Sequence, residues 1–295
     1  MAFTKSSVAA GLLDKTVADA VIALQEVNVM LPLCSVKPLP FGSNVAQWSD
    51  DTEITSSSVD ALTEAGDQST IVSLTSIART ATLADKVLLA EVGDLANRGS
   101  KGGLFDSAGA KIGNACARKL DYDAAALGTG FSQTECGAGT ALALSHIFGA
   151  LRQLRAANAP NPYSLVMSDE GIWGDKGLYS LLVQPGNTTT STAVPNSTMG
   201  QPGDNMLNAG WVDKIGGINI YFCNEINDDV GSSADSASFM MSRGAIGIAI
   251  PEEGVVGIEP DRNASARSTE MVGTARYGVT EIKDKFGVYI LHDVS

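Results

Sequence analysis

Near its C-terminus the chain reads Met271-Val272-Gly273-Thr274-Ala275-Arg276-Tyr277-Gly278-Val279-Thr280-Glu281-Ile282, then Lys283-Asp284-Lys285, then Phe286-Gly287-Val288-Tyr289-Ile290-Leu291. The first and third segments are rich in β-branched and aromatic residues at a two-residue period, which predicts two strands. The short polar segment between them predicts a tight turn. We therefore expect a β-hairpin whose strands complete a sheet begun far upstream, beside a long helix.

The composition is that of a globular protein with many turns. The 295 residues suffice for one large domain or two modest ones, and 44% hydrophobic residues can form a sizeable core. The 31 glycines favour loops and argue against a helical bundle. A net charge of −13 disfavours a protein that reads nucleic acid, because such a protein needs a basic surface to replace phosphate counterions.

The four cysteines form neither a metal-binding nor a disulfide pattern. Cys34, Cys116, Cys136 and Cys223 are far apart in the sequence, and no Cys-x-x-Cys pair occurs. We expect buried free thiols in a reducing compartment. The sequence also predicts no secretory signal and no membrane span, since no stretch approaches the ~20 apolar residues that a span requires.

The N-terminal third contains an unusual acidic segment. Residues 8–30 have helical apolar spacing, and Pro32, Pro38 and Pro40 then predict an extended arm. Residues 43–78 contain neither Lys nor Arg, and alternation at both ends predicts a two-stranded excursion with an acidic tip. Its acidic residues are Asp50, Asp51, Glu53, Asp60, Glu64 and Asp67. A solvated charged loop of a monomer is the alternative.

Three helices and three strands are predicted for the remainder. Residues 83–95 carry one apolar helical stripe, and residues 107–127 carry a longer one that ends at Gly128-Thr129-Gly130. Residues 140–157 predict the third helix. Strands are predicted at residues 163–167, 215–223 and 243–250, and an exposed loop at residues 184–205.

No catalytic, cofactor or metal site is predicted. His146 falls within a predicted helix as a structural residue, and His292 follows the last strand as a surface residue. No Gly-x-Ser-x-Gly motif is present, and Gly128-Thr129-Gly130-Phe131 lacks the Lys-Ser/Thr of a phosphate loop. Residues 224–229 carry calcium-ligand types without the EF-hand spacing. A non-enzymatic protein is therefore expected.

The order of these elements resembles that of the major capsid proteins of tailed bacteriophages, which have the Hong Kong 97-type fold. The resemblance is carried by the full order, by the Gly128-Thr129-Gly130 helix exit, and by the Tyr277-Gly278-Val279 and Gly287-Val288-Tyr289-Ile290 ending. It implies an α+β fold. The implied parts are an N-terminal arm at 1–42, an extended E-loop at 43–78, a P-domain with its spine helix at 79–130, an A-domain at 131–261, and a return to the P-domain at 262–295.

The resemblance also implies a function and partners. The chain would self-assemble into hexamers and pentamers that form an icosahedral head around double-stranded DNA, in the virion, after assembly in the host cytoplasm. The spine helix begins too early for a cleaved assembly domain, which implies a separate scaffolding protein or prior processing. Portal and decoration (cement) proteins are further expected partners. The Lys-free E-loop argues against the Lys–Asn cross-link of some family members in its usual place.

Charge patterning suggests where subunits meet. We expect the acidic excursion of one subunit to lie on a basic surface of the next, with charge setting the register and apolar residues supplying most of the affinity. The expected cations are Arg79, Lys86, Arg98, Lys101, Lys111, Arg118 and Lys119. Two alternatives stay open, namely an encapsulin-like cargo shell with the same fold and an acidic cytosolic hydrolase with a dispersed site.

Overall fold

The computed structural model describes residues 28–51, 54, 59, 72–95, 104–183, 214–226 and 235–294. Most of the predicted N-terminal helix and the predicted loop at 184–205 lie outside this part of the chain. The same holds for six residues expected at subunit contacts, namely Glu53, Asp60, Glu64, Asp67, Arg98 and Lys101.

The described elements are mostly strands, as expected for an α+β chain. The helices are α1 Met30–Leu33, α2 Leu104–Gly128, α3 Leu144–Ala156, α4 Asp169–Trp173 and α5 Leu178–Val183. The strands are β1 Ser35–Leu39, β2 Val45–Asp51, β3 Ser76–Thr82, β4 Ala84–Gly93, β5 Thr134–Ala141, β6 Tyr163–Met167, β7 Lys214–Ile215, β8 Ile218–Phe222, β9 Asp235–Ser242, β10 Ile246–Pro251, β11 Val256–Asn263, β12 Ser268–Glu281 and β13 Gly287–Asp293.

These strands form three sheets. A five-stranded sheet has the order β1-β10-β12-β11, with β4 also paired to β12. A six-stranded sheet has the order β5-β13-β9-β6-β8-β7, and β2 and β3 form a separate two-stranded sheet. Most pairs are antiparallel, but β1 runs parallel to β10, β5 to β13, and β6 to β8.

The long helix confirms its sequence prediction. Its stripe of Ile112, Cys116, Leu120 and Ala124 is buried. The helix ends at Gly128, where an added methyl group would lie 2.7 Å from the ring of Phe239. The glycine at this position therefore lets the helix end pack closely on β9.

The two closing strands form as predicted, but the hairpin between them does not, so that prediction was wrong. β12 pairs with β10, β11 and β4, whereas β13 lies between β5 and β9. Because both strands already have partners, neither can pair with the other. The linker contains a 3₁₀ turn, Asp284–Phe286, and carries the chain from one sheet to the other.

Residues 83–95 were wrongly predicted as a helix. Residues 84–93 form β4, whose ten residues pair with residues 268–277 of β12. Their apolar spacing suits a helix, but the backbone hydrogen bonds to β12 stabilise a strand by more than this weak local preference stabilises a helix. The third predicted helix also begins later than expected, at Leu144, because Thr140 and Ala141 end the unpredicted strand β5.

The described base of the excursion is two-stranded, and its second strand continues to Thr82, past the predicted end at residue 78. β2 and β3 pair from Val45 opposite Thr82 to Asp51 opposite Ser76. The base of the excursion rests on the five-stranded sheet, where Ala46 and Ala81 pack with Leu39 and Ala249. The rings of Trp48 lie over Gly247 at the same junction, where an added methyl group would lie 3.0 Å away. The excursion is therefore anchored at its base.

Candidate subunit-contact surface

Strand β4 presents apolar side chains to solvent on both of its faces. Val87 and Leu89 are 60% and 61% exposed, and Leu88, which points the other way, is 38% exposed. Together with the helix beside it, this edge strand leaves an unusually apolar surface on the isolated subunit. Such a surface is typical of a region that another chain covers.

A groove of about 390 Å³ runs between β4 and the long helix α2. Its apolar lining is provided by Val87, Leu88, Ala115, Cys116 and Ala275, and its charged lining by Asp85, Lys86 and Lys119. The lysine stems extend the apolar surface and their ammonium groups remain in water. This arrangement suits an apolar segment with acidic flanks.

The expected cations near this groove are mostly paired within their own subunit. Lys86 Nζ lies 3.8 Å from Asp123 Oδ2, and Lys119 Nζ lies 2.7 Å from Asp123 Oδ1. Arg118 forms an ion pair with Glu225. Lys111 is exposed on the same helix and has no ion pair with another described residue. The helix surface is thus less positive than its sequence suggests.

Asp50 and Arg79, expected on opposite partners, lie on the same excursion. Arg79 belongs to β3 and its guanidinium lies 3.8 Å from Asp50 Oδ2. Lys283 Nζ, from the linker between β12 and β13, lies 3.8 Å from Asp50 Oδ1. Asp50 therefore helps to hold the base of the excursion, whereas exposed Asp51 has no cation partner among the described residues.

The described part of the excursion also exposes apolar side chains. Val45 is 48% exposed, Ile77 57% and Leu74 67%. Ile54 and Val59, further along the excursion, are 57% and 75% exposed. The alternation in the sequence identified Val45 and Ile77, whereas Ile54, Val59 and Leu74 were not singled out.

The N-terminal arm is anchored on the long helix by a buried carboxylate. Asp121 accepts hydrogen bonds from the backbone N–H groups of Val29, at Oδ2, and Met30, at Oδ1, both at 2.9 Å. Asn28 donates to the carbonyl of Ala117 one turn earlier. Burial raises the pKa of Asp121 to about 6, against the effect of the two N–H bonds. These hydrogen bonds therefore fix Val29 and Met30, where the described part of the chain begins, on the long helix.

The residues considered for catalysis have structural roles. His146 accepts a hydrogen bond from the backbone N–H of Ala143 through Nδ1, at 3.2 Å, which supports the start of α3. His292 was wrongly predicted at the surface, since it is fully buried within β13 opposite Ser236. Ser168 caps α4 by accepting from the N–H of Gly171. Within the described ranges, no three His, Cys, Asp or Glu residues are grouped as a metal site would require.

Three of the four cysteines are buried, as the sequence predicts. Cys34, Cys116 and Cys223 are buried free thiols, and Cys136 is partly buried. Burial raises the pKa of the Cys223 thiol to about 12, so it is unreactive at neutral pH. Among the helices of the described residues, none combines the length and apolar character needed to cross a membrane.

Comparisons with known proteins identify the family. A family model described as phage capsid protein matches residues 67–291, well over half of the chain. No curated protein matches the sequence. Among solved structures, one from Mycobacterium phage Che8 is 18% identical with a TM-score of 0.60, and 84% of each chain is covered.

Two further structures have the same fold at lower identity. The capsid structure of cyanophage P-SCSP1u is 14% identical with a TM-score of 0.63, covering 91% of this chain and 89% of that one. A virus-like particle from Pyrococcus furiosus is 9% identical with a TM-score of 0.57, covering 94% and 98%. The family match favours a phage coat over a cargo shell or a hydrolase. The chain therefore belongs to the phage capsid protein family, and it is a tailed-phage major capsid protein with the Hong Kong 97-type fold.

Proposed function

We propose that this subunit forms hexameric and pentameric capsomers of an icosahedral head around double-stranded DNA, assembled in the host cytoplasm. The scaffolding, portal and decoration proteins expected for such a head are its proposed partners. The observation that supports this best is the apolar surface of β4, where Val87 and Leu89 are each about 60% exposed in the single subunit. Its role is structural, and we propose that it has no enzymatic activity.

The excursion of one subunit lies, in this proposal, along the groove between β4 and α2 of the next. Leu74 and Ile77 supply apolar side chains, and the groove offers Leu88, Ala115 and Cys116 as their counterpart. Burial of these side chains provides most of the affinity, because each removes apolar surface from water. Such a contact joins two different surfaces and is therefore able to close a ring.

Charge has a secondary role in the same contact. Asp50 is already compensated within its subunit, as are Lys86, Arg118 and Lys119. Asp51 and Lys111 form no ion pair with another described residue, so their charges are available to a neighbour. Pairs of this kind at the rim of an interface set register and the rate of association more than affinity.

We also propose a division of the chain that follows the sheets. The five-stranded sheet with α2 forms the P-domain, and the six-stranded sheet forms the A-domain. Strand β10 and most of β11 fall within residues 131–261 but pair with the P-domain sheet, and β13, which lies after residue 261, pairs with the A-domain sheet. The boundaries at residues 131 and 261 therefore do not coincide with the points at which the chain passes from one sheet to the other.

A triple charge reversal tests the role of the excursion. We expect Asp50→Lys, Asp51→Lys and Glu53→Lys together to leave a soluble, folded subunit that no longer forms particles, because the change removes the ion pairs of Asp50 at the base of the excursion and brings three cations to a groove that already carries Lys86 and Lys119. Size-exclusion chromatography and negative-stain microscopy measure the outcome. A matched control carries Asp175→Lys, Glu252→Lys and Glu253→Lys, exposed acids on other surfaces. Normal particles from the first variant would contradict the proposal.

A further inference from the structure

The long helix covers one face of the five-stranded sheet, and among the described elements the base of the excursion covers the opposite face near Ala249 and Gly278. Gly273 of β12 contacts Ile112 of α2, and the hydroxyl of Tyr277 donates to Asp123 at 2.8 Å. Odd-numbered residues of this part of β12 therefore face the helix, and even-numbered ones face away. Val272 and Thr274, on the face away from the helix, are partly exposed. We call this the open face.

The open face carries an apolar patch beside a row of carboxylates. Val87 and Leu89 of β4 point to it and are 60% and 61% exposed. Two residues further, Glu91 lies directly opposite Glu270 of β12, which lies directly opposite Asp261 of β11. Residues that are directly opposite in antiparallel strands share a face and have Cβ atoms ~5 Å apart. Three carboxylates thus form one row across three strands.

Two of the nearby cations form ion pairs with other residues. Arg262 binds Asp94 with both terminal nitrogens at 2.7 Å, and Arg276 Nε lies 3.4 Å from Asp85. No described cation forms an ion pair with Glu91, Glu270 or Asp261. Like charges directly opposite one another destabilise a sheet. A cationic, partly apolar partner would relieve this repulsion and cover the apolar patch.

Helix α3 of this same chain presents a surface that is both cationic and partly apolar. Phe148, Arg152 and Arg155 follow one another at the spacing i, i+4, i+7 and therefore lie on one side of the helix. Phe148 is 42% exposed, and both arginines are exposed without an ion pair to another described residue. Phe148 packs against Gly216, where an added methyl group would lie 2.7 Å from its ring. The aromatic ring is thus held in place.

The spacings of the two surfaces agree. Phe148 and Arg152 are four helical residues apart, a rise of ~6 Å along the axis. Leu89 and Glu91 are two strand residues apart, ~6.8 Å along β4. A helix lying along β4 and β12 would therefore bring Phe148 to Leu89 when Arg152 is level with Glu91 and Glu270. Arg155, one turn further, has the length to reach the same row.

We propose that α3 of a second copy of this chain docks on the open face, with Phe148 against Val87 and Leu89 and with Arg152 and Arg155 on the carboxylate row. The contact joins different surfaces of the two copies, so it propagates head to tail. Leu89, Glu91 and Glu270 lie on the opposite face of the sheet from Leu88 in the groove assigned to the excursion, and Val87 borders both surfaces. A subunit can therefore form both contacts at once.

Disulfide trapping tests this contact in the full chain. We expect the double variant Leu89→Cys/Phe148→Cys to give a ladder of cross-linked oligomers on a non-reducing gel, in capsomers as well as in closed particles. Leu89→Cys alone and Phe148→Cys alone serve as controls and should remain monomeric on the gel. Particles that form without a ladder would overturn this contact and leave the proposed function intact. A Leu89→Cys thiol that is protected from alkylation without any ladder would assign the face to another partner and would also overturn it.

Charge exchange provides an independent measurement. Glu91→Arg/Glu270→Arg and Arg152→Glu/Arg155→Glu should each reduce the cross-linked yield at least tenfold in the trapping background. Combining all four substitutions should restore most of it, because the signs are again complementary. The matched control, Glu252→Arg/Glu253→Arg, should leave the yield unchanged. Failure of the combined variant to recover, with circular dichroism showing a folded subunit, would contradict the proposal.

Discussion

Ile112 of the long helix packs directly over the backbone of Gly273 in β12, and a methyl group at Gly273 would lie only 2.4 Å from Ile112 Cγ2. This contact joins two segments that are far apart in the sequence. It allows the helix to approach the sheet closely enough to bury its apolar stripe.

Gly273→Ala should therefore destabilise the subunit. We expect a loss of about 2 kcal/mol in the free energy of unfolding, because the β-carbon must displace a packed side chain. Urea denaturation of the soluble subunit measures it. Gly93→Ala, in the paired strand β4, is the control, since nothing lies within 4 Å of its added methyl group. Equal effects of the two substitutions would show that close packing at Gly273 is not the cause.

The buried carboxylate of Asp121 should make stability depend on pH. Its folded-state pKa of about 6 exceeds its ordinary value of 3.8. Between these values the folded state binds more protons than the unfolded state, so stability decreases as pH rises through this window. The difference corresponds to roughly 3 kcal/mol at most. Below about pH 4 and above about pH 6 the contribution of this residue is constant.

Asp121→Asn should remove that part of the pH dependence. Urea midpoints measured from pH 4 to 7.5 should vary less for this variant than for the wild type. The substitution also places an amide –NH₂ group against one of the two N–H donors from Val29 and Met30, so proteolysis near residue 28 should become faster. Asp175→Asn, at an exposed position, should retain the wild-type slope. An unchanged slope for Asp121→Asn would exclude this residue as its source.

Lys176 should stabilise the end of the six-stranded sheet. Its Nζ lies 2.6 Å from Asp293 Oδ2, and Asp293 lies directly opposite the buried Asp235, which accepts from the N–H of Gly139 at 2.9 Å. Lys176→Met leaves two neighbouring carboxylates without this cation. We expect a loss of about 1–2 kcal/mol in the free energy of unfolding, since the ammonium group is itself half exposed.

The effect at Lys176 can be separated from that of losing any lysine. Lys214→Met, at an exposed position, should change the urea midpoint little. The double variant Lys176→Met/Asp235→Asn should be less destabilised than the two single variants predict by addition, because one of the facing charges is then absent. Strict additivity would contradict an interaction between these residues.

The groove beside the long helix should be essential for assembly and not for folding. Leu88→Glu places a charge in the groove, where the proposed excursion of a neighbour would have to bury it. We expect a monomeric subunit with an unchanged urea midpoint and no particles by negative-stain microscopy. Leu88→Met, which keeps volume and polarity, should assemble normally. A normal yield of particles from Leu88→Glu would show that the groove is not part of the subunit contact.

The elements that sequence patterns predicted well are those with a strong local signal. The long helix was predicted at residues 107–127 and spans Leu104–Gly128, and the strand predicted at 163–167 is β6 Tyr163–Met167. A helix satisfies its backbone within the segment, so its apolar stripe and its terminal glycine are visible in the sequence. The strand β6 is buried on both faces and is apolar apart from Ser164, which is also a local signal.

The candidate contact surface was predicted only in part. The sequence identified an acidic excursion and a basic helix, but Arg79 lies on the excursion, and Lys86 and Lys119 share Asp123 within one subunit. Charge counts along a sequence do not reveal which ions are already paired. The exposed apolar residues of β4 were predicted as one face of a helix, so their exposure on two faces of a strand was missed.

The sequence by itself determined the family, the α+β composition, the long helix with its glycine exit, and the two closing strands. The tertiary structure decided which strands pair, that residues 84–93 are a strand, and that His292 is buried within β13. The physical reason is that a strand obtains its hydrogen bonds from partners elsewhere in the chain. The same apolar pattern can therefore form a helix or a strand, depending on whether a strand such as β12 is available to accept and donate its backbone hydrogen bonds.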